Sequence, residues 1–287
     1  MNPVVKTFFD EETFTASHIV IDPSAKKCAI IDSVLNFDSA SGRTTTNSAD
    51  MIIEYIKNES LSLEWIIETH IHADHLTAAP YLQHKLGGKT GISSRINHVQ
   101  STFGKVFNAD AGFARDGSQF GVLFDDGEKF KLGNINAYVM HTPGHTPACS
   151  TVIIGDAAFV GDTLFMPDYG TARCDFPGGD ARTLYRSIQK IFSLPDQTRL
   201  FMCHDYKSPT RDVFAWESTV AEERAENLHV KTGISEDEFV EMREARDKTL
   251  SMPRLIVPSV QINMRAGDMP PPEDNGVSYL KMPINTL

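Results

Sequence analysis

The chain has 287 residues, of which 38 are acidic and 27 basic, giving a formal net charge of −11 with histidine neutral. No block of Lys and Arg stands ready to neutralise phosphates, which excludes a nucleic-acid backbone as the main partner, and no apolar run nears the roughly 18 residues of a membrane span. With 41% apolar and 23% charged residues, a chain of this length is expected to form one or two domains around a buried core.

The elements read in chain order as follows. Ser17 to Asp22 and Lys27 to Asp32 are β-branched runs separated by Pro23-Ser24-Ala25-Lys26, the pattern of a hairpin. From 48 to 58 the period changes: Met51, Ile52, Tyr55 and Ile56 recur at helical spacing. A strand follows over Leu63 to Glu68, then helical spacing at Leu76, Ala79, Leu82 and Leu86, stopped by Gly87-Gly88. Glu128 to Gly161 is strand-like, most clearly at Ile135 to Val139 and Ser150 to Ile154. Asp180 caps a helix to Phe192, and Leu200 to Cys203 is a short apolar strand. Ser235 and Glu238 form a capping box that opens a charged helix to about Leu250. Met252 to Leu287 holds six prolines in 36 residues and predicts an extended arm laid over the body. Strands and helices in two such series predict an α/β fold of two packed sheets with helices outside.

Cys28, Cys149, Cys174 and Cys203 are scattered without a C-x-x-C pair, which argues against a disulfide framework and a zinc ribbon. Met1 to Lys6 lacks the order of a secretory leader, so a reducing cytoplasm is the expected compartment. The ten histidines are more telling. Thr69-His70-Ile71-His72-Ala73-Asp74-His75 places four ligand-type side chains in an H-x-H-x-D-H pattern between a strand and a helix. Alternation points His70 and His72 the same way, and the turn swings Asp74 and His75 towards a second position, so two adjacent metal pockets are feasible. Three further strand ends offer ligands: His145 in a Gly/Pro-bent loop, Asp162 after Gly161, and His204 after Cys203. His18, His98 and His229 are expected on the surface or satisfied in the core, and His84 is expected to be structural. His141 is open between supporting the site and ending a strand.

The H-x-H-x-D-H set followed by Gly144-His145, Gly161-Asp162 and Cys203-His204-Asp205-Tyr206, in this order, resembles the metallo-β-lactamase superfamily over about residues 10 to 210. The resemblance implies an αββα sandwich, with residues 1–215 as the catalytic domain and 216–287 as C-terminal helices and a proline-rich arm packed on it. Within the superfamily the chain is most similar to the persulfide (sulfur) dioxygenases and their relatives the glyoxalase II hydrolases. Flavodiiron relatives carry Glu where this chain has His72. Met252-Pro253-Arg254-Leu255 through Lys281-Met282-Pro283-Ile284-Asn285 resembles a bacterial branch of persulfide dioxygenases known as β-lactamase-like hydrolases.

Two metal readings follow from the resemblance. With two zinc ions, His70, His72 and His145 hold one, Asp74, His75 and His204 the other, and Asp162 bridges, giving a thioester hydrolase of the glyoxalase II type. With one Fe(II) per subunit, His70, His145 and Asp162 form a 2-His-1-carboxylate triad, while His72, Asp74, His75 and His204 orient ligands and waters. The second reading gives oxidation of glutathione persulfide or a related low-molecular-weight persulfide by dioxygen to sulfite and thiol. It is favoured because the region that supplies basic glutathione contacts in glyoxalase II is acidic here, from Glu222 to Glu244. Arg173 and Tyr206 resemble the family's substrate-binding arginine and tyrosine. Asp162 and Arg173 stand two residues further apart than in mitochondrial-type enzymes, and Thr171 replaces their cysteine. Cys174 is open between a sulfur carrier and an inert thiol. An arm needs a surface to lie on, so the 207–287 region is also expected to support a homodimer.

Overall fold

The computed structural model describes residues 2–286. The first half runs β1 (Val4–Asp10), β2 (Thr15–Asp22), β3 (Lys27–Ile31), β4 (Val34–Asp38), β5 (Arg43–Thr45), α1 (Asn47–Asn58), β6 (Ser62–Ile67), β7 (Leu76–Thr77), α2 (Ala79–Leu86), β8 (Lys89–Ser93), α3 (Ile96–Val106) and β9 (Val122–Phe124). The second runs β10 (Lys129–Leu132), β11 (Ile135–His141), β12 (Ser150–Ile154), β13 (Ala157–Gly161), α4 (Ala181–Phe192), β14 (Arg199–Met202), β15 (Glu217–Thr219), α5 (Val220–Glu226), α6 (Glu236–Asp247) and α7 (Ile256–Asn263).

Two six-stranded sheets form, in the orders β1-β2-β3-β6-β8-β9 and β10-β11-β12-β13-β14-β15. The two-residue period of a strand explains the layers. In β2 and β3, Val20, Ala29 and Ile31 face inward and meet Val139, Val152, Phe159 and Phe201 of the second sheet. Their alternates Ile19, Ile21 and Ile30 face outward onto Ile52, Ile53 and Ile56 of α1 and Leu82 of α2. The second sheet turns Ala158, Val160, Leu200 and Met202 outward onto Leu184, Ile188 and Ile191 of α4 and Phe239 of α6. Each such Val, Leu, Ile, Phe or Met side chain contributes about 1.5–3 kcal/mol by leaving water. The result is the expected αββα sandwich.

The hairpin, the Asp180 cap on Thr183 N–H and the Ser235–Glu238 capping box all form. Two readings need correction. The helical spacing from Leu76 belongs partly to β7, which pairs with β4, and the helix starts only at Ala79 with Pro80 in its first turn. The extended arm is interrupted by α7, whose residues are nearly all buried. Pro258 sits in the first turn of α7, where no backbone donor is lost, and Ile256 and Val260 pack on Ile92, Ile96 and Val99. From Gly267 to residue 286 the chain is irregular, with Met282 and Ile284 exposed.

The C-terminal elements lie on the sandwich: β15 extends the second sheet and α6 packs on α4. α5 brings one buried acid with it. Glu223 is fully buried, its Oε2 accepting from Asn227 Nδ2 at 2.7 Å and its Oε1 without a partner. The same Asn227 amide holds the carbonyl of Gly170. Burial pushes the Glu223 carboxyl up to about 8. A carboxyl raised in the folded state favours folding below its unfolded pKa and loses that advantage as pH rises towards 8. Glu223→Gln, which keeps the shape without the charge, is expected to match the parent near pH 4.5 and exceed its stability at pH 8 by up to roughly 4 kcal/mol. Urea unfolding of both proteins at the two pH values measures the difference.

Candidate metal centre

The ligand-type residues converge because β6, β11, β13 and β14 all end on the same rim of the sandwich. β6 runs into His70, the β11–β12 loop carries His145, β13 ends before Asp162, and β14 ends before His204. Backbone bonds join the two sheets there, from Ser150 N–H to the Thr69 carbonyl at 2.9 Å and from Ala16 N–H to the Cys203 carbonyl at 2.7 Å. Gly161 has a φ of +54°, and a Cβ on it would meet Thr69 Oγ1 at 2.5 Å, so only glycine lets β13 deliver Asp162 beside His70.

Ligand atoms of His70, His145 and Asp162 lie within 4.8 Å of one another, as do those of His72, Asp74, His75 and His204. Asp162 reaches both groups. Its Oδ2 lies 3.8 Å from His70 Nε2 and 3.6 Å from His145 Nε2, and its Oδ1 lies 3.5 Å from His204 Nε2. Two ligands about 2.1 Å from one tetrahedral ion stand about 3.4 Å apart, so these separations suit atoms that share a cation.

The hydrogen bonds set the tautomers. His145 Nδ1 donates to the Arg173 carbonyl at 2.8 Å and His204 Nδ1 to the Phe14 carbonyl at 3.1 Å. His75 Nδ1 donates to Asp74 Oδ2 at 3.1 Å. Thr69 Oγ1 donates to Asp32, so it accepts from His70 Nδ1 at 3.0 Å. Each of these four rings therefore turns a bare Nε2 to the site. His72 is reversed: its Nε2 donates to Asp32 Oδ1 at 3.0 Å and lies 3.2 Å from Glu68 Oε2, leaving Nδ1 bare. Burial and the neighbouring imidazoles hold the pKa of His70 well below the histidine range, which keeps it neutral.

Among the described residues, nine buried side-chain polar atoms lack a hydrogen-bond partner. Five of them are His70 Nε2, His72 Nδ1, His75 Nε2, His204 Nε2 and Asp162 Oδ1. An imidazole lone pair 3.2 Å from a carboxylate oxygen, as His204 Nε2 is from Asp74 Oδ2, leaves two acceptors facing each other. Cations in the two groups would satisfy these atoms, one beside His70 and Asp162 and one among His72, Asp74, His75 and His204.

A cleft of about 390 Å³ opens above Asp74, His145 and Asp162. Phe165, Tyr169, Phe176 and Tyr206 form much of its wall, and Tyr206 stacks on the His204 ring at 5.9 Å. Arg173 lies on the same wall, but its guanidinium is bonded to both Asp175 oxygens and to the Ser251 carbonyl. Cys174 is buried behind the cleft, and burial raises its thiol far above the range of a reactive thiolate. A larger groove of about 1060 Å³ along β10 and β11 holds none of these ligand-type residues.

The remaining histidines separate from the site. His141 bonds Ser93 and the Phe124 carbonyl, His18 bonds Thr7 and the Met202 carbonyl, and His84 and His98 are exposed. His229 accepts from Thr171 N–H and supports the cleft loop. Sequence reasoning missed Asp32, Glu68 and Asn263. An aspartate closing an apolar strand was the signal that pointed to Asp162, and Asp32 at the end of β3 carries the same signal. Asn263 has no local signal, since it acts across 191 residues.

The sequence model of the metallo-beta-lactamase superfamily matches residues 13–204. A probable metallo-hydrolase of Burkholderia pseudomallei is 55% identical over 293 residues, 99% of each chain. Glyoxylase B2 of Dictyostelium discoideum is 50% identical over 285 residues, 99% of this chain and 97% of its own. The mitochondrial persulfide dioxygenase ETHE1 of Homo sapiens is 30% identical over 271 residues, 93% of this chain and 90% of its own. Among solved structures, ETHE1 from Myxococcus xanthus matches with a TM-score of 0.73 at 27% identity, over 92% of this chain and 100% of that one.

Asp32 orients two parts of the site at once, since it also accepts from Thr69 N–H at 2.7 Å. Asp32→Ala is expected to weaken zinc(II) binding by about 10–100-fold, the usual cost of removing a group that holds a metal-ligating histidine. Chelator competition on the folded variant measures this, and an affinity equal to the parent's would refute the role.

Proposed function

This chain belongs to the metallo-beta-lactamase superfamily, and from that premise we propose that it is an iron(II)-dependent persulfide dioxygenase acting on glutathione persulfide or a related low-molecular-weight persulfide. The observation that carries the reading is the grouping of two histidines and one carboxylate, His70, His145 and Asp162, of which His145 and Asp162 line an aromatic-walled cleft. That donor set suits ferrous iron with positions left open for two reactants. The end-to-end likeness to persulfide dioxygenase ETHE1 supports it.

In the proposed reaction persulfide, dioxygen and water give thiol, sulfite and two protons. The terminal sulfur is oxidised, dioxygen takes up four electrons, and the sulfur–sulfur bond breaks with the proton-bearing thiol as leaving group. Iron held by His70, His145 and Asp162 supplies the redox chemistry. The chain's own residues supply the rest. His145 is fixed by the Arg173 carbonyl and His70 by Thr69, so neither imidazole needs to reorient when reactants enter. Phe165, Tyr169, Phe176 and Tyr206 present apolar surface that excludes water from the reacting sulfur.

Four arginines line the cleft. Arg173 and Arg243 are paired with Asp175 and Asp247, whereas Arg246 and Arg254 have no carboxylate partner among the described residues. These two guanidinium groups give an acidic protein a local site for the anionic body of the substrate. Charge-to-alanine changes there should act on binding rather than on the chemical step.

A second reading is favoured by a specific observation. Asp74, His75 and His204 form a complete group that shares Asp162 with the first, which suits a dinuclear zinc hydrolase of thioesters, and Glyoxylase B2 is among the relatives. Metal analysis of the purified protein combined with oxygen uptake separates the two. One iron per chain and one dioxygen consumed per glutathione persulfide is the expected result; two zinc ions, no oxygen uptake and hydrolysis of S-lactoylglutathione would replace it with the second. Replacing Arg246 and Arg254 together by alanine is expected to raise KM about tenfold with kcat nearly unchanged, the signature of lost uniform binding. Steady-state oxygen electrode kinetics report both constants.

A further inference from the structure

The loop from Ile71 to His75 has neither helix nor strand geometry, yet it carries three of the ligand-type side chains. Its buried backbone groups therefore have no ladder to join and need partners from elsewhere. They find one in a single amide. Asn263, 2% exposed at the end of α7, donates from Nδ2 to the His72 carbonyl at 2.9 Å and to the His75 carbonyl at 2.8 Å. Its Oδ1 accepts from Thr77 N–H at 2.9 Å. Two carbonyls and one N–H fix which way the amide points, and Asn supplies two donors and one acceptor in that arrangement.

The contact is closed by two further observations. Thr77 Oγ1 donates to Glu68 Oε1 at 2.6 Å, and the other oxygen of Glu68 lies 3.2 Å from His72 Nε2, so the chain of contacts returns to the residue whose carbonyl Asn263 holds. Beyond α7, Gly267 has a φ of +94°, and a Cβ there would meet Pro80 Cδ at 2.5 Å and Thr77 Cγ2 at 3.0 Å. The turn after the helix is thus seated directly on the segment that follows the ligand loop.

We propose that Asn263 is a positioning residue for the metal centre: it clamps the loop between His72 and Thr77 and so sets where His72, Asp74 and His75 present their ligand atoms. The inference rests on the metal-centre reading: with two zinc ions the clamped loop carries ligands of the second ion, and with one iron it carries the side chains that orient ligands and waters around it. Its failure is therefore distinguishable from failure of the dioxygenase reading, because the test uses metal binding and spectra, not turnover.

Asn263→Ala removes all three hydrogen bonds, and Asn263→Asp keeps the acceptor while losing both donors. Both are compared with Ser259→Ala, which alters a fully buried hydroxyl on the same helix that has no partner. Zinc(II) affinity by chelator competition is expected to fall by about 10–100-fold in both Asn263 variants and to stay within about threefold in Ser259→Ala. The visible spectrum of the cobalt(II)-loaded protein is expected to change in both Asn263 variants and to stay parental in Ser259→Ala, each compared only where the variant keeps the parent's circular dichroism. Folded Asn263 variants with parental affinity and parental cobalt spectrum overturn the proposal, and so does an equal loss in Ser259→Ala. Where the Asn263 variants do not fold, amide exchange in the parent decides. Coupling is reciprocal, so zinc(II) loading is expected to slow exchange at Thr77 and at Gln261 to Met264 by a larger factor than in α1. Equal slowing in both regions overturns it.

Discussion

Asp32 is the constraint on which the rest of this structure depends. It is a carboxylate with 1% exposure at the end of β3, in a left-handed backbone conformation with φ of 52°. A buried charge costs several kcal/mol unless its oxygens are satisfied, and here Thr69 N–H, Thr69 Oγ1 and His72 Nε2 satisfy them. Its own backbone is gripped as well, with its N–H donating to the Ile67 carbonyl and its carbonyl accepting from Ser17 Oγ. One residue, through its carboxylate and its backbone, thus ties β2, β3 and the end of β6 into a single rim. The H-x-H-x-D-H loop starts from that rim, which is why His70 and His72 have defined directions before any ion binds.

Around this anchor the fold separates two jobs. The inner faces of both sheets and the outer helices are filled with aliphatic and aromatic side chains, while polar atoms without partners collect at one end of the sandwich. Concentrating bare imidazole nitrogens and a carboxylate there is costly to the protein without metal and favourable with it. The cleft above adds apolar wall and the guanidinium groups of Arg246 and Arg254, so a chain with a net charge of −11 still places cationic side chains beside its site.

The parts of the site legible in the sequence were those with a local cause. His70, His72, Asp74 and His75 announce themselves by spacing, and His145, Asp162 and His204 by standing at ends of apolar strands. The sandwich followed from period-two runs and from caps such as Asp180 and Ser235. What could not be read depends on contacts between distant segments. Prolines in the last 36 residues hid α7, because Pro258 is harmless in a first turn although it breaks a helix interior. Leu76 has helical spacing with Leu82 and Leu86, yet pairing with β4 outweighs it. The Asp175 carboxylate that holds the Arg173 guanidinium is set by the fold of its loop and has no local signal.

The seat of Asn263 on the ligand loop also has a consequence in time. The loop leaves the ribosome 191 residues before the asparagine that grips the His72 carbonyl. At translation rates of about 5–20 residues per second, roughly 10–40 seconds separate them. During that interval the nascent chain displays four closely spaced ligand residues without the clamp that sets their geometry. On the proposed clamp, synthesis of α7, rather than of the motif itself, is then the event that completes the loop's geometry.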